Sequence, residues 1–356
     1  MPNKKTILVA PLHWGLGHAT RCVPIVRELL NQGYQVLLGS DGAALELLRK
    51  EFPQLPFVEL PSYQIRYSKK GTTLKWKLFA GSVKIWSAVQ KEKKIIHKLV
   101  TTGQIQGIIS DNRWGVRHKK VPSVYITHQL RVLSGKTTWL TPLIHTQIIQ
   151  KFDACWVPDT AGEDNLSGQL GHPRNLPPHV SYIGVLSRMK KKVMPPQYDL
   201  LVLLSGPEPQ RTLLEEKLKK ELSGLDKKIA FVLGKMEKTQ SRVQEKNFTL
   251  YNYLTTKDLE EIINQSSLII SRSGYTTLMD LAAMGKKAFF IPTPGQYEQE
   301  YLAQRLDYQG IVPYSTQANF KATDLEKASQ YSGLQPIEVD NLWKSRFILF
   351  EGKRKF

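Results

Sequence analysis

Short runs of β-branched and leucine-rich residues alternate along the whole chain with longer stretches in which apolar positions return every three or four residues. The first pattern predicts buried strands and the second predicts helices. In the first half the strand candidates are Thr6 to Ala10, Gln35 to Leu38, Phe57 to Leu60, Gly107 to Ser110, Ser123 to Thr127, Ala154 to Val157 and Val180 to Ile183. The pattern stops at Met189-Lys-Lys-Lys-Val-Met-Pro-Pro-Gln197, where a basic run meets two prolines. It resumes with Asp199 to Leu204, Lys228 to Leu233, Phe248 to Tyr251, Leu268 to Ser271 and Ala288 to Ile291, with helices at Leu213 to Leu222, Thr256 to Ile263 and Thr277 to Met284. Such alternation predicts an α/β protein built from βαβ units around parallel sheets. The expected organisation is a first domain over residues 1–189, a linker over 190–197, a second domain over 198–335 and a closing segment over 336–356. In that last segment Glu338 to Phe350 reads as an amphipathic helix with Val339, Leu342, Trp343, Phe347 and Phe350 on one face, packing on a core and open to returning to the first domain.

Composition narrows the class. With 356 residues, 41% hydrophobic and 23% charged, the chain is neither disordered nor fibrous. No uncharged apolar stretch approaches the about 18 residues of a membrane span, and the apolar run after Lys4 and Lys5 is cut short by Pro11. The two cysteines, Cys22 and Cys155, have no metal-site spacing, so neither a disulfide framework nor structural zinc is expected and a cytoplasmic location is. Fifty Lys+Arg against 31 Asp+Glu give a net charge of +19, which calls for an anionic partner: nucleic acid, an anionic membrane or a phosphorylated substrate. Part of the charge is local. Residues 69–98 hold nine lysines and a single acid, Glu92, interleaved with Trp76, Phe79 and Trp86. Leu74, Leu78, Ile85, Val89, Ile96 and Leu99 make a helical apolar stripe there, leaving a lysine face that is either simply solvated or a peripheral membrane contact.

Two glycine-bearing turns carry the candidate chemistry. The first strand runs into Pro11-Leu-His-Trp-Gly15-Leu-Gly17-His18-Ala-Thr-Arg21, at the carboxyl end of a strand where open α/β sheets bind ligands. The loop lacks the GxGxxG dinucleotide fingerprint. Its glycines fit a tight turn or a close ligand approach. His18 is a general-base candidate or a capping residue, and Gly15, Gly17 and Arg21 are acceptor-side candidates. In the second half, Ser271-Arg-Ser273-Gly274-Tyr275-Thr276 joins a strand to a helix, where the amides of Gly274, Tyr275 and Thr276 could cradle a diphosphate. Asp280 follows as a ribose-binding carboxylate, and Gln299 and Glu300 follow the next strand.

This second segment resembles the donor motif of GT-B glycosyltransferases, specifically the family-28 type that includes the MurG-like N-acetylglucosaminyltransferases of peptidoglycan synthesis. The likeness covers Tyr253 to Gly310 well and Gly15 to Arg21 weakly. It implies GT-B architecture, with two Rossmann-like doubly wound domains facing across a cleft. It also implies donor binding by Ser273, Gly274, Tyr275, Thr276, Asp280, Gln299 and Glu300, backbone contacts to the base at Tyr253 and Leu254, a second glycine loop at Gly206 to Arg211, and a catalytic histidine at His18. The sequence departs from the family's pattern at Asp280, Glu300, Tyr275 and the Gly206-Pro-Glu-Pro209 loop.

Asp111, Asn112 and Arg113 after one buried strand, and His128 after the next, are further acceptor-side candidates, with Asp111 the alternative base. Loop capping by Asp111 and a buried structural His128 remain open. The expected activity is inverting transfer of a hexose or N-acetylhexosamine from a UDP-sugar to an acceptor hydroxyl, lipid-linked or part of a cell-envelope glycan, at the inner membrane face. The donor is a co-substrate, so no cofactor is expected. No Asp-x-Asp motif calls for a metal. The competing readings are a nucleotide-sugar epimerase or hydrolase of the same fold and a non-catalytic nucleic-acid-binding protein. The absence of a recognisable nucleic-acid module argues against the last.

Overall fold

The computed structural model describes residues 4–63, 74–131, 141–176, 179–206, 208–337 and 342–352, with side chains in the helices that open three of these stretches described from residues 84, 145 and 344. Strands β1 (Thr6–Pro11), β2 (Gln35–Ser40), β3 (Phe57–Glu59), β4 (Gly107–Asp111), β5 (Ser123–Ile126), β6 (Ala154–Val157) and β7 (Val180–Tyr182) form a parallel sheet in the order β3-β2-β1-β4-β5-β6-β7. Strands β8 (Tyr198–Leu203), β9 (Ile229–Val232), β10 (Arg242–Glu245), β11 (Phe248–Tyr251), β12 (Ser266–Ser271) and β13 (Ala288–Phe290) form the other, in the order β10-β11-β9-β8-β12-β13. Only β10 there is antiparallel. Its sequence, Arg-Val-Gln-Glu, is exposed at all four positions and gives no hydrophobic signal, so the sequence reading misses it.

The helices are α1 (Gly17–Asn31), α2 (Gly42–Glu51), α3 (Leu74–Thr101), α4 (Thr141–Ile149), α5 (Gln210–Leu222), α6 (Thr256–Asn264), α7 (Tyr275–Met284), α8 (Tyr297–Tyr308) and the single turn α9 (Leu342–Ser345). Both sheets reverse their winding direction once, between β1 and β4 and between β8 and β12. At such a switch point the loops leaving neighbouring strands part to opposite faces and open a crevice at the carboxyl edge. The β1–α1 and β12–α7 turns both sit at one, and α1 packs against α7, so the two crevices meet.

One expectation changes on contact with the structure. The closing segment is not a continuous amphipathic helix. It has the α9 turn followed by a 3-10 turn over Arg346–Phe350, while Val339 and the side chains of Leu342 and Trp343 lie outside the described residues. It packs on the first sheet: Phe347 and Phe350 are buried, their rings are each 6.4 Å from that of Tyr34, and the Lys5 ammonium donates to Phe350 O at 2.6 Å. The basic stretch 190–197 is strapped to the second sheet's helices, with Lys190 N donating to Glu260 at 2.8 Å and Lys192 N to Asn264 at 3.0 Å. Along α3, Ile96 and Leu99 are buried while Lys84, Lys91, Lys93, Lys94 and Lys98 are exposed and Trp86 is 65% exposed. The side chains of Leu74, Trp76, Leu78 and Phe79 lie outside the described residues.

Candidate active site

Register places the first group of site residues. Pro11 of β1 pairs with Asp111 of β4, so the β1–α1 turn passes directly over the end of β4. Gly15, with φ +74°, makes the bend that only glycine adopts readily. Helix α1 then begins at Gly17 and points His18 and Arg21, one turn apart, at Asp111. His18 Nδ1 lies 2.8 Å from Asp111 Oδ1. Arg21 Nε donates to Asp111 Oδ2 at 2.5 Å, and its Nη2 pairs with Oδ1. Burial pushes the Asp111 carboxyl up, but Arg21 and His18 together override it and hold the group well below the usual carboxylate range. For His18, burial outweighs the attraction of Asp111 and lowers the imidazole pKa, so the ring is neutral at neutral pH. Nδ1 also lies 2.9 Å from Arg21 Nη2; with the His18 proton on Nδ1, facing the Asp111 oxygen at 2.8 Å that can only accept, Nε2 presents a lone pair, unbonded among the described residues.

This geometry redistributes the predicted roles. Asp111 is fully buried with both oxygens engaged, so it orients His18 and does not itself meet a substrate proton. Arg21, 1% exposed, belongs to the same network instead of an acceptor surface. Arg113 is not a cleft residue: its guanidinium is buried and braces Pro11 O at 2.9 Å, Glu92 at 2.7 Å, Pro61 O at 3.1 Å and Asp41. Glu92, the lone acid of the lysine-rich stretch, is the internal partner of this arginine. Asn112, at φ +58°, accepts from the Tyr125 hydroxyl at 2.8 Å. His128 does face the second domain. Its Nδ1 lies 3.0 Å from Arg21 Nη1, its Nε2 lies 3.1 Å from Glu298, and its ring stacks on Tyr275 at 4.3 Å and 3°.

In the second domain the β12–α7 turn reaches across to the first. Thr276 Oγ1 donates to Gly17 O at 3.2 Å, and a Cβ on Gly17 would sit 3.1 Å from that hydroxyl. The Tyr275 hydroxyl donates to Pro158 O at 2.8 Å. Neither α1 nor α7 has a side-chain N-cap or an acid in its first turn. Two helix N-termini without a side-chain cap or first-turn acid thus converge near His18, an arrangement suited to an anion.

Other donor candidates are turned inward. Ser273 is buried and donates to Gln299 O at 2.7 Å, while the Gln299 side chain accepts from Thr293 N at 2.8 Å with its amide nitrogen beside Gly274. Glu300 is half-buried and accepts from Gly295 N at 2.8 Å. Asp280 accepts from Ser187 at 2.7 Å beneath the chain that joins the sheets, and burial raises its pKa against the pull of Arg188. Arg211 ties Leu233 O at 2.6 Å to the start of α5, Leu254 is buried, and Gly206 bends at φ +95°. Sequence reasoning missed Glu298. It opens α8 and points at His128 and Gln129, and a signal existed in its place one residue before the Gln299-Glu300 pair. It also missed Glu51, which ends α2 and accepts from Thr256 N at 2.7 Å, capping a helix of the other domain.

Residues 209–335 match the family described as glycosyltransferase family 28 C-terminal domain. Over the longer chain, a glycosyltransferase of Methanosarcina acetivorans described as uncharacterised is 24% identical, covering 85% of this chain and 84% of its own. The UDP-N-acetylglucosamine--N-acetylmuramyl-(pentapeptide) pyrophosphoryl-undecaprenol N-acetylglucosamine transferase of Buchnera aphidicola is 23% identical, covering 90% and 87%. Among solved structures, Acinetobacter baumannii MurG superposes with a TM-score of 0.56 at 14% identity, covering 99% of this chain and 100% of its own. The glycosyltransferase SnogD from Streptomyces nogalater gives 0.62 at 14%, covering 97% and 99%.

The two sheets, their facing switch points and these likenesses define a GT-B fold, and the chain is a glycosyltransferase. Its residues 209–335 carry the family-28 C-terminal domain, and the chain as a whole is similar to MurG-like transferases. Among the described residues no helix is long and apolar enough to cross a membrane, no group of three or more His, Cys, Asp and Glu side chains could hold a metal, and Cys22 and Cys155 are free and buried.

Proposed function

We propose that the protein transfers a hexosyl or N-acetylhexosaminyl group from a UDP-sugar to an acceptor hydroxyl, with inversion at the anomeric carbon. The observation that carries this reading is the meeting of two uncapped helix N-termini, at Gly17 and Tyr275, beside the neutral, Asp111-oriented His18. The donor diphosphate would lie against the amides of Gly274, Tyr275 and Thr276, where the dipole of α7 and the free N–H groups stabilise the charge that develops as the sugar departs. The acceptor O–H would dock on His18 Nε2. As its oxygen attacks the anomeric carbon from the face opposite the diphosphate, its proton passes to Nε2, the bond to the diphosphate oxygen breaks and UDP leaves. Asp111 would stabilise the imidazolium so formed through the Nδ1–H bond. Contact between the domains would keep water from the sugar.

Donor binding stabilises the fold by mass action whatever the acceptor. UDP and UDP-sugars are expected to raise the melting temperature, and the absence of any rise would overturn the reading. Incubation with a UDP-sugar alone separates transfer from the epimerase and hydrolase alternative, which would give an epimer or rapid release of free sugar. The exposed lysines of α3 and Trp86 favour a lipid-linked acceptor at an anionic membrane. Sedimentation with vesicles containing anionic lipid tests this, and indifference to lipid charge would remove it. Strong salt-dependent binding of nucleic acid without any response to UDP would favour the remaining alternative.

A further inference from the structure

We infer that Arg21, His128 and Glu298 are positioning residues that tie the proton-accepting state of His18 to contact between the two domains. The inference rests on the reading of His18 as the base. Its foundation is that a guanidinium donates hydrogen bonds and never accepts one. Arg21 uses Nε and Nη2 as a fork on the two oxygens of Asp111, the planar bidentate arrangement that fixes both partners. The third nitrogen, Nη1, lies 3.0 Å from His128 Nδ1. Since Nη1 must donate, His128 Nδ1 must accept, and the proton of a neutral His128 is on Nε2. That nitrogen lies 3.1 Å from Glu298 Oε1 and donates to it. Arg21 therefore sets the tautomer of His128, with its proton on Nε2, whereas Asp111 sets that of His18, whose Nδ1 lies 2.8 Å from Oδ1 and also 2.9 Å from Arg21 Nη2.

The chain of bonds ends in the other domain. Glu298 is in the first turn of α8, where Gln129 holds its second oxygen, and the His128 ring lies flat on Tyr275, the first residue of α7. The titratable groups facing the network are His18, Arg21, Cys22, Asp111, His128, His145, Tyr275 and Glu298, and separating the domains would leave Asp111 as the carboxylate among them. With Glu298 gone, the positive charge of Arg21 is less compensated and His18 becomes a weaker base. Burial opposes the charge on Glu298, but His128, with His18 and Arg21 beyond it, wins and keeps the carboxylate ionised, so the coupling operates at neutral pH. His18 would be most basic when the α7 turn, where the diphosphate is proposed to bind, is closed over it.

The test is a titration of the full-length protein carrying 13Cε1-histidine, followed by NMR without substrate, with the His18 and His128 signals assigned by their loss in His18→Gln and His128→Gln. In Glu298→Gln the His18 midpoint is expected to fall, the direction in which loss of an opposite charge moves an imidazole. The His128 signal at neutral pH is expected to move as its Nε2–H loses a charged acceptor. A folded Glu298→Gln protein in which both signals titrate as in the wild type would overturn the inference, since a mere domain contact would leave them alone. No nucleotide enters this experiment, so its failure leaves the donor-binding reading standing, and the failure of UDP to stabilise the fold would not alter the titration.

Discussion

His18 Nδ1 and Asp111 Oδ1 are 2.8 Å apart although 93 residues separate them along the chain. The pairing exists because β1 and β4 are neighbours at the point where the first sheet reverses direction.

If His18 takes the acceptor proton and Asp111 orients it, His18→Gln lowers kcat by about 10²–10⁴-fold. UDP-induced stabilisation is retained. Asp111→Asn is expected to cost activity on the same scale and also stability, because it leaves the Arg21 charge buried without its partner. Steady-state kinetics with parallel thermal melts separates the two effects. In the wild type the acidic limb of kcat/KM should fall below the ordinary histidine value of 6.5, because burial lowers the His18 pKa. A limb above 6.5 would refute this assignment.

Gly274 is predicted to matter to the ligand and not to the fold. Its φ of −71° suits any residue, and an added Cβ would have only Gln299 Nε2 nearby, at 3.8 Å. Gly274→Ala should therefore melt like the wild type while losing most of the stabilisation given by UDP, because the methyl group would lie where the diphosphate approaches the backbone. A variant that still gains full stabilisation would place the diphosphate elsewhere.

Arg113 should behave as a structural brace. Arg113→Met leaves Glu92 and Asp41 facing a core without their cation, which is expected to cost about 3–5 kcal/mol. Chemical denaturation would measure it. A variant of normal stability with selectively impaired transfer would return Arg113 to the acceptor side.

Stability should fall as the medium is acidified through the range of His145, buried against Tyr125, whose pKa burial lowers from 6.5 to about 4. The sign follows from proton uptake: between these values the unfolded chain binds the proton that the folded chain refuses, so the contribution is intact above pH 6.5 and lost toward pH 4. The full span corresponds to about 3 kcal/mol. Melting temperatures of wild type and His145→Gln across this range should converge at low pH, and parallel curves would count against it.

Much of the architecture was legible because it rests on local periodicity. Runs such as Ile7 to Ala10 and Leu268 to Ser271 are apolar on both faces, as strands covered by helices must be, and Gly15 and Gly274 mark where strands turn into helices. The polar edge strand Arg242–Glu245 carries no such signal, and its pairing with β11 depends on backbone hydrogen bonds that any side chain permits. Among the site residues, proximity to a strand end was visible in the sequence, but orientation was not. Asp111 and Arg113 are two positions apart, yet one reaches the α1 network and the other braces Glu92 beneath it. Glu298 and Glu300 likewise open the same helix, but one faces His128 and the other folds back on Gly295.

By itself, then, the sequence determined two α/β sheets, the turns that bear the chemistry and an excess of positive charge. Only the tertiary structure decided which charges are spent internally. Carboxylates and guanidinium groups separated by tens to hundreds of residues meet only after the sheets close, and buried charges must find partners there. Arg21 meets Asp111, Arg113 meets Glu92, and Glu298 crosses to His128, while the lysines of α3, facing water, are left available.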